Sequence, residues 1–449
     1  MSVLLVQVPT SHLGAGEKVY PLGLSRLSST IPGGMEKHAL DMNLFPDPWE
    51  RLKTLLEETT PDVITLSFRN IDPLAGHHAS YVSSLKTAAR LCRHLVPNAR
   101  ILAGGPAFSL FAQRLMHEVP QIDIGLKGEG ERVFPQLLAP VLNRRSIPGI
   151  LWREEGQVRS NPMGTRTGMD DIPKIDVRSF PPRDYTRGNT YVAAMGIEGK
   201  RGCDLRCGYC LYPFLGGARM RLRHPSAIVD EMEMLSREYK IRLFHFTDPV
   251  INWPLDHFEA ICQALVQRKL SVQWTGFFRE DALTPASLAL AEKAGLAAIY
   301  FSGDALTDHG LTYLNKQMTK ETLLNASRLT ARTGMLTMCH FLFNLPGETD
   351  AHRLEAKQTL EDILDIHASA KNLGAVIFNP VRLYPGAPMT RQLIKSGDLS
   401  EKADLLYPVY HNPEPYAGLL HEFETICHTA GIFSRLGLNL GDPDENLCI

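Results

Sequence analysis

Hydrophobic positions in the first 140 residues alternate between short continuous runs and stretches where they recur at three- and four-residue intervals. Continuous runs suit strands buried on both faces, and the three-to-four spacing suits the amphipathic helices that cover them. The pattern predicts strands over 3–8, 39–44, 63–67 and 100–103, with helices over 22–30, 49–58 and 81–95. Residues 1–140 therefore read as an α/β domain with a doubly wound, Rossmann-like parallel sheet. Such sheets bind ligands beyond the carboxyl ends of their strands, here the loops after Val8, Ser67, Ala103 and Leu126.

Residues 141–190 are rich in Pro and Arg with little periodicity and read as a linker. Alternation resumes at Tyr191, with strands predicted over 191–195, 243–247, 272–275, 298–301, 336–343 and 375–378 and helices between them. Six strand–helix units over 191–395 suggest a partial (βα)6 barrel of the TIM type, its reactive end at the carboxyl ends of the strands. Residues 396–449 read as a short, mainly helical C-terminal segment.

Composition adds limits. Forty-seven Lys and Arg against 49 Asp and Glu leave a charge of −2, so no basic field is expected to gather nucleic acid. No apolar run approaches the ~20 residues of a membrane span, and Met1 to Pro9 lacks the marks of a signal peptide. A cytoplasmic protein is expected. The 8 cysteines are too few for a disulfide scaffold in a chain of 449 residues, and Cys203, Cys207 and Cys210 stand together.

Those three occur in Lys200-Arg-Gly-Cys203-Asp-Leu-Arg-Cys207-Gly-Tyr-Cys210, a loop after the first barrel strand. Three thiolates so spaced can surround one face of an iron–sulfur cubane and leave the fourth iron open. Zinc sites usually come as two CxxC pairs, and no fourth ligand is evident nearby; zinc and three unrelated cysteines remain as alternatives.

The motif resembles the CxxxCxxC signature of the radical S-adenosylmethionine (SAM) superfamily, with Tyr209 at the aromatic position before the last cysteine. The resemblance implies a [4Fe–4S] cluster on Cys203, Cys207 and Cys210, and SAM chelated to the open iron for one-electron cleavage. It extends to later loops. Phe246-Thr-Asp248-Pro-Val is similar to the family's acidic loop near the SAM amino group. Ser302-Gly-Asp304-Ala and the following Leu314-Asn-Lys316 resemble the ribose-contacting strand end, and Asn344-Leu-Pro346-Gly347-Glu-Thr resembles the loop passing the adenine. Arg279 could pair with the SAM carboxylate. Taken singly, Asp248 and Asp304 could be helix caps, Pro346-Gly347 a turn and Arg279 a surface ion pair.

The front domain resembles the cobalamin-binding domain of one class of these enzymes. Tyr20-Pro-Leu-Gly23, Ser67, Gly104-Gly105-Pro106 and Gly128-Glu129-Gly130-Glu131 carry that likeness, with glycines letting backbone approach a large ligand and Ser67 able to bond the base tail. The cobalamin family's usual Asp-x-His-x-x-Gly is missing; Ser11-His12-Leu13-Gly14 does not match it. The likeness thus implies base-off cobalamin, with Arg69 below cobalt or else paired with Asp72 or solvent. It further implies a C-methyltransferase acting on a small-molecule or biosynthetic substrate through methylcobalamin, with an electron donor such as flavodoxin or ferredoxin. A cyclase or ring-rearranging enzyme, a polar methyl transfer and a non-catalytic corrinoid-binding protein are the alternatives.

Overall fold

The computed structural model describes residues 1–10, 18–73, 78–185, 193–414 and 418–436. The Ser11 to Gly14 stretch, the start of the strand expected at Tyr191 and Cys448 lie outside them. Contacts divide the described chain into two compact units, one up to residue 185 and one from residue 193. Among the described residues no helix is long and apolar enough to cross a membrane.

The first unit is built on seven strands: β1 (Ser2–Gln7), β2 (Glu36–Asp41), β3 (Val63–Ser67), β4 (Arg100–Gly104), β5 (Ile124–Leu126), β6 (Ile150–Glu154) and β7 (Gln157–Ser160). They lie in the order β2-β1-β3-β4-β5-β6-β7, parallel through β5 and antiparallel after it. Val3 to Val6 are wholly buried, as a strand covered on both faces requires. The helix Pro48–Thr59 shows how local sequence sets an element. Proline stands at its first position, Asp47 accepts the Trp49 and Glu50 N–H groups, and Leu52, Leu55 and Leu56 form its buried stripe.

Two sequence expectations are corrected. The second strand starts at Glu36 and stops at Asp41, where the carboxylate accepts the Asn43 N–H and turns the chain into a short 3-10 helix over Met42–Leu44. The supposed linker is part of the sheet: β6 and β7 form a hairpin whose turn residues, Glu155 and Gly156, both have positive φ. Residues beyond it return to the unit, with Asp176 receiving the Ser28 hydroxyl and Lys37, and Tyr185 donating to Asp41.

Strand β1 sits between β2 and β3, so the order reverses there, and in such sheets that switch point is the ligand crevice. Ser67 donates to Gln7 Oε1 at 3.0 Å across it.

In the second unit, β8 (Gly196–Ile197), β11 (Leu243–Phe246), β12 (Gln273–Phe278), β13 (Leu296–Asp304), β14 (Leu336–Phe343) and β15 (Leu373–Arg382) pair in parallel and in sequence order. A small antiparallel pair, β9 (Lys200–Arg201) with β10 (Arg221–Leu222), brackets the cysteine loop. The first strand begins later than the predicted 191–195, pairing at 196–197 with β11. The C-terminal segment is not simply helical. Besides the helices Pro388–Ser396 and Leu419–Thr429 it supplies β16 (Tyr410–His411), antiparallel to β15, and β17 (Phe433–Leu436), parallel to it. Phe423 of the second helix packs on Phe343 and Phe378, sealing the outer side of the sheet. On the opposite side His245, Phe277, Tyr300 and His340 form a ring cluster with centroids 5.6–6.1 Å apart. Burial pushes His245 down to about 4, and its neutral Nδ1 pairs with the Thr275 hydroxyl at 2.7 Å.

Gly105 has φ +106°, and a Cβ there would lie 2.6 Å from the Phe68 carbonyl oxygen, whereas one at Gly104 would meet nothing closer than 3.4 Å. Gly105→Ala should therefore lower the thermal midpoint by several degrees, corresponding to about 1–3 kcal/mol, while Gly104→Ala should stay near wild type in the same calorimetric scan.

Candidate functional site

The cysteine loop is held by backbone bonds to three separate segments. Cys203 N–H donates to the Gly217 carbonyl, Gly208 N–H to the Leu314 carbonyl, and Met389 N–H to the Gly208 carbonyl, at 2.8–2.9 Å. Asn315 adds a side-chain bond to the Arg206 carbonyl. Gly202 turns the chain with φ +79°, and a Cβ there would meet the Arg219 carbonyl oxygen at 2.3 Å, so only glycine fits. The loop is thus shaped by the protein itself.

Burial pushes all three thiols up, Cys210 to about 12; neighbouring thiols add to the rise at Cys203 and Cys210, and Asp304 adds to it at Cys207. The charges of Lys316 and Arg279 oppose it at Cys207. Such thiols stay protonated until a metal centre takes the proton's place. Among the described residues no three His, Cys, Asp or Glu side chains gather as a one-ion chelate would require. A cubane takes each thiolate on a different iron and needs no such convergence, so a trio with Cys203 buried, Cys207 and Cys210 half-buried and cations beside Cys207 fits it.

Beside this loop the strand ends present a connected polar group. Asp304 closes β13 with φ +65°, after a register shift in the β13–β14 ladder. Its carboxylate accepts Lys316 Nζ at 2.6 Å and the Tyr209 hydroxyl. Lys316 also donates to the Ser302 carbonyl. Burial alone would lower the Lys316 ammonium, but Asp304, Cys207 and Glu280 raise it above the ordinary lysine range. Arg279 grips Asp281 with two nitrogens and donates to the Lys316 carbonyl at 3.0 Å. Its ion pair is only 5% exposed on the arginine side, so the surface reading fails. Tyr209, Asp304, Lys316, Ser302 and Arg279 are therefore brought together in one bonded group.

Asp248 is placed differently. Its Oδ1 accepts the Gly199 and Lys200 N–H groups at 2.7 and 3.1 Å, and burial pushes the carboxyl up to about 6 against the pull of Lys200 and those two bonds. Pro346 and Gly347 form the expected turn after β14, with Gly347 at φ +81° and the Pro346 carbonyl bonded to His309, whose ring stacks on His352 at 4.5 Å.

In the first unit, Ser67 lies at the switch point, while Gly105 and Gly128 have internal reasons and Gly104 has none. Gly105 makes room for Phe68, and a Cβ at Gly128 would strike Met163 Cε at 2.3 Å. Glu129 accepts the Thr167 N–H and pairs with Arg166, which fastens the returning segment. Arg69 is exposed and its charge lowers the buried Asp41 carboxyl, which burial otherwise raises.

Sequence reasoning missed Lys200 and Glu280. Lys200 is buried and donates to the Ile251 and Trp253 carbonyls at 2.9 and 2.6 Å. Glu280 is buried with Oε2 lacking a hydrogen-bond partner, and burial pushes it up to about 7 despite Lys316. The charged pair Arg279-Glu280 at a strand end was the available signal.

Residues 197–374 match the sequence profile of the Radical SAM superfamily. This part of the chain is a radical SAM domain. Over its length the chain is 23% identical to an uncharacterised methyltransferase of Pyrococcus horikoshii, covering 86% of this chain and 82% of that one. It is 26% identical to the anaerobic magnesium-protoporphyrin IX monomethyl ester cyclase of Rubrivivax gelatinosus, over 58% of this chain and 48% of the cyclase. Its fold is that of the radical SAM methyltransferase TsrM of Kitasatospora setae, solved with tryptophan and a SAM analogue, at TM-score 0.78 and 21% identity over 95% and 88% of the two chains. A second structure of TsrM, with cobalamin and a [4Fe–4S] cluster bound, superposes at TM-score 0.73 and 22% identity over 90% and 81%. The radical SAM domain thus spans β8 to the start of β15, with the cysteine loop near its beginning.

Glu280 yields a pH test. A carboxyl raised in the folded chain binds its proton more tightly there, so its contribution is full below the ordinary value of 4.5 and is lost as pH rises towards about 7. Glu280→Gln removes that dependence. The midpoint of the variant should climb relative to wild type between those pH values, by at most about 3 kcal/mol, and then level off. A constant difference across that range would mean Glu280 is charged throughout.

Proposed function

We propose that the protein is a cobalamin-dependent radical SAM enzyme, and that it methylates a carbon of a small-molecule substrate. The observation that carries this reading is the trio of thiols, Cys203 buried and Cys207 and Cys210 half-buried, on a preshaped loop beside the Asp304–Lys316 pair. A switch-point α/β sheet ahead of it in the same chain supports the cobalamin part. The first unit would be the Rossmann-like cobalamin domain and the second a partial barrel.

In this reading Cys203, Cys207 and Cys210 hold the [4Fe–4S] cluster. Asp304 receives the ribose hydroxyls, and Lys316 holds that carboxylate in place. Tyr209 ties the cluster loop to the same carboxylate. Arg279 holds the Lys316 backbone and offers positive charge towards the SAM carboxylate. When bound, the cluster with SAM supplies one-electron cleavage, and the corrinoid supplies a methyl carrier. Ser67 and the Gly104 turn would line the crevice for the corrinoid tail, with Arg69 on the same loop as Ser67. A non-coordinating cation there favours a polar methyl transfer as a variant of the same reading. Eight cysteines in 449 residues, three of them crowded together, favour a reducing compartment, where a flavodoxin or ferredoxin would deliver the electron. The likeness to a cyclase leaves ring formation as the competing outcome.

Replacing Cys203, Cys207 or Cys210 by Ala should abolish most iron uptake and all reductive SAM cleavage; full iron in any one of the three overturns the cluster. Asp304→Asn should weaken SAM binding by about 1.5–3 kcal/mol with iron content unchanged, measured by equilibrium dialysis. Purified protein should bind hydroxocobalamin one to one with a base-off spectrum, and mass spectrometry of extracts with and without the gene should reveal a product heavier by one methylene. A cyclised, unmethylated product would favour the competing reading.

A further inference from the structure

Asp248 and Lys200 clasp each other's loops. The Asp248 carboxylate, on the loop after β11, accepts the backbone N–H groups of Gly199 and Lys200. In return the Lys200 ammonium donates to the Ile251 and Trp253 carbonyls of that same loop. Both side chains are almost wholly buried, at 1% and 2% exposure. The second carboxylate oxygen has no hydrogen-bond partner and faces Gly199, where a Cβ would lie 2.6 Å from it. A Cα–H contact is what that position offers, and a larger residue would push the carboxylate off its two donors.

The clasp continues into the rest of the site. Asn252, in the middle of the clasped loop and wholly buried, donates to the Arg279 and Ala282 carbonyls and accepts the Arg279 N–H. Arg279 holds the Lys316 carbonyl, Lys316 holds Asp304, and Asp304 holds Tyr209. Gly199 and Lys200 lead into the cysteine loop and Tyr209 lies within it, so the hydrogen bonds close a ring that begins and ends on that loop.

We infer that Asp248 is a positioning residue of the cluster loop, acting with Lys200 through backbone bonds, and not a ligand of the SAM amino group. The inference rests on the reading that this loop holds a [4Fe–4S] cluster. Three variants of the full chain separate the roles. Asp248→Ala and Lys200→Met should each accelerate amide hydrogen exchange over 198–210 in the iron-free protein by about tenfold or more, since each removes bonds that hold the segment closed. Both should lower iron uptake on anaerobic reconstitution. Asp248→Asn keeps the acceptor oxygen while removing the charge, and its iron-loaded fraction should bind SAM within about twofold of wild type, because a hydrogen bond to a charged group lost from the ligand would cost at least about tenfold. Full iron with SAM affinity reduced tenfold or more in Asp248→Asn overturns the inference, as does unchanged exchange in Lys200→Met. A wild-type chain that takes up no iron overturns the cluster reading itself, and exchange in the variants still reports whether the clasp exists.

Discussion

A lysine and an aspartate buried against each other, Lys316 and Asp304, hold together the part of the second unit on which its chemistry depends. Neither charge could be withdrawn from water alone, because the desolvation cost of an unpaired ion far exceeds any single contact. Paired at 2.6 Å, they fix more than each other. The Ser302 carbonyl, the Tyr209 hydroxyl and, through the Lys316 backbone, the Arg279 guanidinium all take their places from this pair. Charge is thereby concentrated beside thiols that burial keeps protonated, and a metal centre carrying negative thiolates meets cations already in place.

The first unit obeys a different constraint. Its sheet reverses order at β1, and the crevice there is made by the ends of β1 and β3, the side-chain bond from Ser67 to Gln7 and the tight passage of the Gly105 backbone past Phe68. Glycine in that turn serves the protein before it serves any ligand. Gly128 and Glu129 also meet the segment 163–167, through Met163 and the Thr167 N–H.

Most of this was legible where the sequence carries a strong local period or an improbable spacing. The buried strands of both units read as continuous apolar runs, and the three cysteines could hardly fall so close by chance. The failures share one cause, which is tertiary pairing that leaves little local trace. The hairpin of β6 and β7 turns on Glu155-Gly156 in place of the commoner Asn-Gly, and Phe433-Ser-Arg-Leu436 becomes a strand only because β15 offers it a free edge. Asp248 lies in the loop after β11, and nothing local foretells that its Oδ1 accepts the Gly199 and Lys200 N–H groups. Glu280 and Lys200 were overlooked because charged residues at strand ends usually face water, and here helices and loops cover them.

The edge place of β17 also sets a schedule. All seven strands of the first unit lie before residue 186, but the second sheet gains its last strand only when Phe433–Leu436 has been made, more than two hundred residues after Cys210. At ~5–20 residues per second of synthesis, the three thiols wait roughly 10–45 s before their sheet can be complete. During that interval they are open to oxidation and to the wrong metals, so the newborn chain depends on a reducing surrounding well before it can depend on its own packing.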